Sequence, residues 1–324
     1  MGSNWCCKLR SSPLFPSSFS SSLIQRRVIS VCPPPRSVLS ASDRILSSEF
    51  TWDDVFNFQT QQPVRFANHL RGYQDVFTFP SNSSCGSHFG CHVELHPKLT
   101  TSEDRTKAVG DVVACLGEEL IPGIRNELYP VTSSFGAPSF FSLERAAAPY
   151  FGIKAYGVHM NGYVQRGNQK YLWIGQRSKV KPTYPGKLDH LVAGGLPHGI
   201  PCGENLVKEC EEEAGIPRSI ASQAKAVGAV SYSDIDGYRF KRDVLFCYDL
   251  ELPEEFVPKN EDGEVESFKL VPVTHVANII SSTQFFKENC NLVIIDFLFR
   301  HGYIKPEELG YLKLLQSLRS GDCT

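Results

Sequence analysis

Residues 194–216, reading GGLPHGIPCGENLVKECEEEAGI, constrain this chain more than any other stretch. A glycine-rich loop runs into a short helix that is predicted to start near Glu204, with Gly203 at the cap. At about 3.6 residues per turn, Glu209, Glu212 and Glu213 fall at i, i+3 and i+4 and share a face. Leu206, Val207, Cys210 and Ala214 make a neighbouring apolar stripe that can dock on a core. Gly215 supplies a left-handed stop, and Pro217 prevents resumption. The acidic charges are badly placed for helix stability. They sit at the negative end of the dipole, and Glu209 and Glu213 are like charges at i, i+4, costing a few tenths of a kcal/mol (roughly 0.2–0.5). A divalent cation such as Mg²⁺ or Mn²⁺ would remove that cost, because it prefers clustered hard oxygen ligands. The plainer alternative is an acidic helix facing solvent, and the helix by itself leaves both open.

The spacing adds a second constraint. The segment resembles the Nudix box, G-x5-E-x7-R-E-U-x-E-E-x-G-U, where U is a bulky aliphatic residue. Gly194 takes the first glycine, Glu209 the glutamate of the R-E pair, Glu212 and Glu213 the E-E pair, Gly215 the last glycine and Ile216 the closing aliphatic. Ile200 stands where the box has its first glutamate, Lys208 where it has arginine, and Cys210 at the aliphatic position. Lys208 keeps the charge but loses the planar fork that orients a carboxylate at two points. The resemblance implies a metal-dependent hydrolase that binds its cation through Glu209, Glu212 and Glu213. The motif loop comprises Gly194, Gly195, Lys208 and Gly215, with Gly194 and Gly195 letting the backbone bend close to metal and phosphates.

The chain has 324 residues, enough for more than one domain, and a formal net charge of −2, which gives no sign of a nucleic-acid surface. It contains no apolar run of roughly eighteen residues, so no membrane span is expected. Its 11 cysteines lack paired C-x-x-C spacing, and Cys85 and Cys91 fit no zinc template, so reduced intracellular thiols are expected. Residues 1–45 are serine-rich and basic, without an acid before Asp43, the composition of an organellar transit peptide. A disordered transit segment over 1–45 is the expectation, with the chloroplast as destination. Residues 46–149 read as a small α+β domain. It has amphipathic pieces at 52–58 and 63–70, a strand at 74–79, capping chemistry at Ser102-Glu103-Asp104 and a helix over 106–116. Arg125, Glu127, Glu144 and Arg145 are expected to form ion pairs across an interface. From 150 to 324 strands and helices alternate, with strands at 152–160, 161–165, 171–176, 190–193, 226–232, 243–252 and 265–271. A hairpin turn at 234–237 and helices at 273–283 and 291–300 complete a mixed sheet sandwiched by helices.

The similarity extends beyond the box. Residues 140–148 (FFSLERAAA), 151–153, 156–159, 262–266 (DGEVE) and 296–303 (DFLFRHGY) resemble a Nudix subgroup in which a small domain precedes the hydrolase. That subgroup includes plant chloroplastic Nudix hydrolases and the N-terminal half of fungal thiamine pyrophosphokinases. The fold it implies is α+β, a Nudix α/β/α sandwich around a mixed sheet. The implied reaction is cleavage of a diphosphate linkage in a small-molecule substrate, thiamine diphosphate or its oxidised derivatives, giving the monophosphate. Derivatives of nucleoside diphosphates are the alternative, and a non-catalytic binding module of the same fold is a third reading, raised by Ile200. A carboxylate must take the proton of the attacking water, and Glu212, Glu264 or Glu266 could do so. Period-two alternation puts Glu264 and Glu266 on one face of an extended segment. His190 is expected to pack in the core rather than to bind a ligand, and Tyr156, Phe240 and Tyr248 are divided between core and ring-stacking roles.

Overall fold

The computed structural model describes residues 70, 72–78, 94–181, 183–236 and 239–321. The transit segment, the amphipathic pieces before Leu70, Cys85 and Cys91 lie outside the described residues. The first unit opens with two short strands, β1 (Phe77–Thr78) and β2 (Glu94–Leu95), which pair antiparallel. Helix α1 (Ser102–Leu120) follows and is longer at both ends than the apolar spacing predicts. Its cap is Thr101, one residue ahead of the Ser-Glu-Asp run: the Thr101 hydroxyl accepts the Asp104 N–H at 3.1 Å. The helix packs Val109, Val112 and Val113 onto the hairpin of β3 (Leu128–Val131) and β4 (Phe141–Glu144). A 3₁₀ turn over Arg145–Tyr150 leads out of this unit.

The larger unit is built on two long strands. β5 (Lys154–Arg166) and β10 (Arg239–Glu251) run parallel from Lys154↔Arg242 to Tyr163↔Glu251. β5 is buried from Tyr156 to Gly162, and β10 buries Val244, Leu245, Cys247, Asp249 and Leu250. β6 (Gln169–Arg177), β7 (Leu188–Asp189), β8 (Val192–Gly195), β9 (Lys225–Asp236) and β11 (Val265–Pro272) join antiparallel, in the order β11-β6-β5-β10-β9, with β7 on β6 and β8 on β5. Alternation sorts side chains to two layers. Val158, Met160, Trp173 and Leu250 meet α2 (Cys202–Ala214) and α3 (Arg218–Ala221). Leu172, Ile174, Leu245 and Cys247 meet α4 (Val273–Ser282) and α5 (Glu288–Arg300), with α6 (Tyr311–Ser317) behind them. The result is the expected mixed sheet between helical layers. Two readings change. The runs 152–160 and 161–165 are one strand, and β9 continues to Asp236, through most of the expected turn.

One polar network fastens α5 to the sheet. Asp249 on β10 accepts from Arg300, from His301 Nε2 at 3.0 Å and from Asn161 Nδ2 at 3.1 Å. Asp296 accepts from Arg300 Nε at 2.6 Å and Arg319 Nη2 at 3.1 Å. Both carboxylates are buried. Burial raises the Asp249 pKa, but the His301 and Arg300 hydrogen bonds outweigh it and hold the group below its usual range. Replacing Arg300 by methionine is expected to lower stability by about 3 kcal/mol, the scale for stripping a buried carboxylate of its cation. Urea denaturation measures this, and a loss under about 1 kcal/mol, the value of a surface pair, would show the network to be dispensable.

Candidate active site

The site is assembled where β5 changes partners. Its first half pairs with β8, through Gly157↔Gly195 to Met160↔Val192, and its last residues pair with β6. β8 therefore ends in the middle of the sheet, and the chain leaves it through the glycine pair into α2. Helix α2 starts at Cys202, two residues before the expected start, after Pro201. Buried Asn205 ties it to the loop by donating from Nδ2 to the Gly195 carbonyl at 2.7 Å. Gly215 ends it with φ 61°, and Ile216 N–H bonds the Cys210 carbonyl at 2.9 Å.

The two glycines are required by close approach. A Cβ on Gly194 would lie 2.6 Å from Glu209 Oε1, and one on Gly195 would strike Tyr129 Oη and come 3.0 Å from the Arg145 guanidinium carbon. Glu213 reaches back under β8, where its Oε2 accepts the Ala193 N–H at 2.8 Å. Its side chain gathers with Asp262 and Glu264, with ligand oxygens within 4.8 Å of one another. Burial raises the Glu213 pKa well above normal. The Ala193 N–H opposes this, while Glu209, Asp189 and Glu264 add to it. Burial also raises Glu209, partly offset by Lys208. Lys208 lies 3.0 Å from Glu212 and 3.6 Å from Glu209, so it bridges the two acids despite lacking the arginine fork. Glu212 is half exposed beside it.

The expected residues therefore fall into two subsets. Glu209 and Glu213 lie inward, flanking β8, whereas Glu212 lies outward on Lys208. Glu264 joins Glu213 and is ion-paired with Lys181, and Glu266 pairs separately with Lys179 at 3.5 Å. A register shift between Val265 and Ser267 interrupts the alternation that was to place Glu264 and Glu266 on one face. Asp262, outside the sequence-derived set, enters through the turn that carries Glu264, where Asp262 Oδ1 accepts the Glu264 N–H at 2.8 Å. A partly buried carboxylate gathered with two others offers the hard oxygen ligands that a divalent cation prefers.

A cavity of about 610 Å³ opens along Ala193, Gly194 and Gly195, with Arg145 and Tyr129 on one wall and His159 on the sheet side. Its volume is in the range of small-molecule sites. Tyr156 lines it while remaining 6% exposed, so its two expected roles coincide. His190 is buried and hydrogen-bonded Nδ1 to Nδ1 with His159 at 3.1 Å; burial lowers its pKa to about 4. The ion pairs expected across an interface are instead internal to the first unit. Arg145 pairs with Glu127 at 2.8 Å, and Glu144 accepts the Arg125 N–H at 3.1 Å.

The NUDIX domain model matches residues 155–288, and a domain of unknown function, DUF4743, matches residues 62–155. Nudix hydrolase 20, chloroplastic, of Arabidopsis thaliana is 57% identical over 360 aligned residues, covering 95% of this chain and 96% of that protein. Nudix hydrolase 24, chloroplastic, of the same plant is 64% identical over 260, covering 80% of this chain and 69% of that one. The crystal structure of a MutT protein from Methanosarcina mazei Go1 aligns with a TM-score of 0.36 at 16% identity, over 46% of this chain and 95% of that one. The chain belongs to the Nudix hydrolase family. It is a hydrolase of phosphoanhydride bonds in small molecules, a class that uses divalent metal ions, and like both relatives it is chloroplastic. No helix among the described residues is long and apolar enough to cross a membrane.

Proposed function

We propose that the chain hydrolyses the diphosphate of thiamine diphosphate or of its oxidised derivatives, releasing phosphate and the monophosphate. The observation that carries the hydrolytic part is the inward pair Glu209, against Gly194, and Glu213, on the Ala193 N–H: Ala193, Gly194 and Gly195 line the cavity, and Glu213 and Glu264 line a smaller cavity that shares Ala193 with it. The substrate rests on the likeness of residues 140–148 and 296–303 to the thiamine-linked subgroup, and on a cavity with Tyr129, Tyr156, Tyr184 and Tyr232 in its walls, faces on which a heterocycle can stack. In this reading the N-terminal unit contributes a wall, from Pro122 to Pro149, to a cavity whose floor belongs to the hydrolase unit.

Glu209 and Glu213, with Glu212, are the residues that would hold Mg²⁺ or Mn²⁺, and Asp262 and Glu264 gather with Glu213 alone. Such an ion, when bound, neutralises diphosphate oxygens and lowers the pKa of water. The protein's own part is positioning. Gly194 and Gly195 admit the diphosphate against bare backbone, the Ala193 N–H fixes one Glu213 oxygen, and Lys208 holds the outer carboxylates in register. Glu264 takes the proton of the attacking water. It is ion-paired with Lys181 and stands beside Glu213 and Asp262. Glu212, on the solvent side of Lys208, is the second base considered.

The test is phosphate release by the full chain, with Mg²⁺ and without, on thiamine diphosphate, its oxidised derivatives, ADP-ribose and a dinucleotide. The expected result is metal-dependent turnover with kcat/KM at least about tenfold higher on a thiamine-type substrate, a difference of about 1.4 kcal/mol. A preference for the nucleotide substrates would replace the substrate reading, and no release from any of them would favour the binding module.

A further inference from the structure

The first unit reaches into the hydrolytic cavity with a cation that no Nudix-box position accounts for. Arg145 begins the 3₁₀ turn after β4, so it belongs to the region matched only by a domain of unknown function. The Tyr129 hydroxyl fills the space that a Gly195 side chain would take, and the Arg145 guanidinium carbon borders it at 3.0 Å from that Cβ position, 5.6 Å from the Tyr129 ring centroid. Nη1 donates to Glu127 at 2.8 Å. Nε and Nη2 have no hydrogen-bond partner among the described residues, although the guanidinium offers five donors. Burial opposes its charge, but Tyr129, Glu127 and Glu209 hold the pKa above the ordinary value, so the cation persists at the edge of the carboxylate site. The unit carrying it is pinned to the glycine loop. The Leu128 carbonyl accepts the His198 N–H at 2.9 Å, and Ser142 Oγ lies 2.6 Å from His198 Nδ1.

We propose that Arg145 is a diphosphate-contact residue, and that the N-terminal unit serves to deliver it to the hydrolase cavity. The free edge of the guanidinium would donate to phosphate oxygens lying over Gly194 and Gly195, while the Glu127 pair and the Tyr129 ring fix its plane. Bidentate contact with phosphate is what distinguishes arginine from lysine at such a position. The lysine in the Nudix box does not substitute for it, because Lys208 is engaged with Glu209 and Glu212. The inference rests on diphosphate hydrolysis as the activity, and is indifferent to which organic group the diphosphate carries.

The experiment uses inorganic imidodiphosphate, a non-hydrolysable diphosphate, as a competitive inhibitor of the full chain in Mg²⁺, alongside kcat/KM on a diphosphate substrate the enzyme turns over. Arg145→Met, which keeps the stem's packing on Tyr129, is expected to weaken imidodiphosphate about tenfold to a hundredfold, the scale for a lost hydrogen bond to a charged group. Added guanidinium ion is expected to restore part of the rate in this variant. Glu127→Gln removes the opposing charge but keeps an acceptor for Nη1, so the plane is retained and its inhibitor affinity is expected to stay within about threefold of the parent, the range of a partly exposed ion pair. Unchanged affinity in Arg145→Met overturns the proposal. So does an equal loss in Glu127→Gln, which would make the pair a structural strut. Should Arg145→Met not fold, Arg145→Lys decides: about fivefold weaker binding is expected from loss of the fork, and parental affinity refutes the contact. Failure of thiamine diphosphate as a substrate bears on the substrate reading alone, because imidodiphosphate carries no organic group.

Discussion

Replacing Glu213 by glutamine is expected to lower turnover about a thousandfold, roughly 4 kcal/mol of lost transition-state stabilisation, while leaving the protein folded. The carboxylate is held by one backbone N–H, from Ala193, and glutamine can still accept that bond. What glutamine cannot supply is charge. Glu213 is pushed toward the neutral acid by burial first, and then by Glu209, Asp189 and Glu264. A group so destabilised as an anion is a poor structural choice unless a cation compensates it. Two measurements separate the chemistry from the fold. Phosphate release should collapse in both Glu213→Gln and Glu209→Gln. Mg²⁺ should raise the thermal midpoint of the parent, as any ligand of the folded state does, and should move the variants much less. Parental rates in the purified variants, or equal Mg²⁺ shifts in all three proteins, would remove these residues from the metal site.

The box was legible because its information is local. Glu209 and Glu213 are one turn apart, and a helix carries both to the same side whatever surrounds it. The helical layers and most strands were legible for the same reason. β5 was harder, since its sequence reads as two runs, 152–160 and 161–165. The strand continues because Asn161 donates to Asp249 at 3.1 Å and because Gly162 leaves room for Leu191 and Leu252, facts that reside in other elements. Asp262 was missed because a turn, absent from any periodicity, brings it beside Glu264, where its Oδ1 accepts the Glu264 N–H. Arg145 was read as a structural ion-pair residue, and the ion pair exists. Its second face, toward Gly195, is set by docking of the N-terminal unit on the glycine loop. The signal that pointed to it was the run 140–148, shared with the thiamine-linked subgroup and rich in small residues around one arginine.

Gly194→Ala is expected to cost about a hundredfold in kcat, the scale attached to displacing a catalytic group by roughly 1 Å. The added methyl would sit 2.5 Å from Glu209 Cγ and 2.6 Å from Oε1, well inside contact distance. Backbone strain is not the cause, since Gly194 is not among the glycines with positive φ. Relief must come from movement. β8 is fixed by pairing with β5 on one side and by the Ala193–Glu213 hydrogen bond on the other, and α2 is anchored by buried Leu206, Cys210 and the Asn205 bond to Gly195. The softest element is the Glu209 side chain itself, whose one ion pair among the described residues is with Lys208 at 3.6 Å. It is expected to swing away toward solvent, leaving the helix in place and the carboxylate misdirected. The variant should therefore keep its circular dichroism and lose no more than about 1–3 kcal/mol of stability, the range for overpacking. Its residual activity should respond to raised Mg²⁺, as a weakened site would. A variant that unfolds instead would locate the constraint in the backbone rather than in Glu209. One with parental kcat and parental Mg²⁺ dependence would mean that Glu209 lies too far from the reacting phosphate for its displacement to matter.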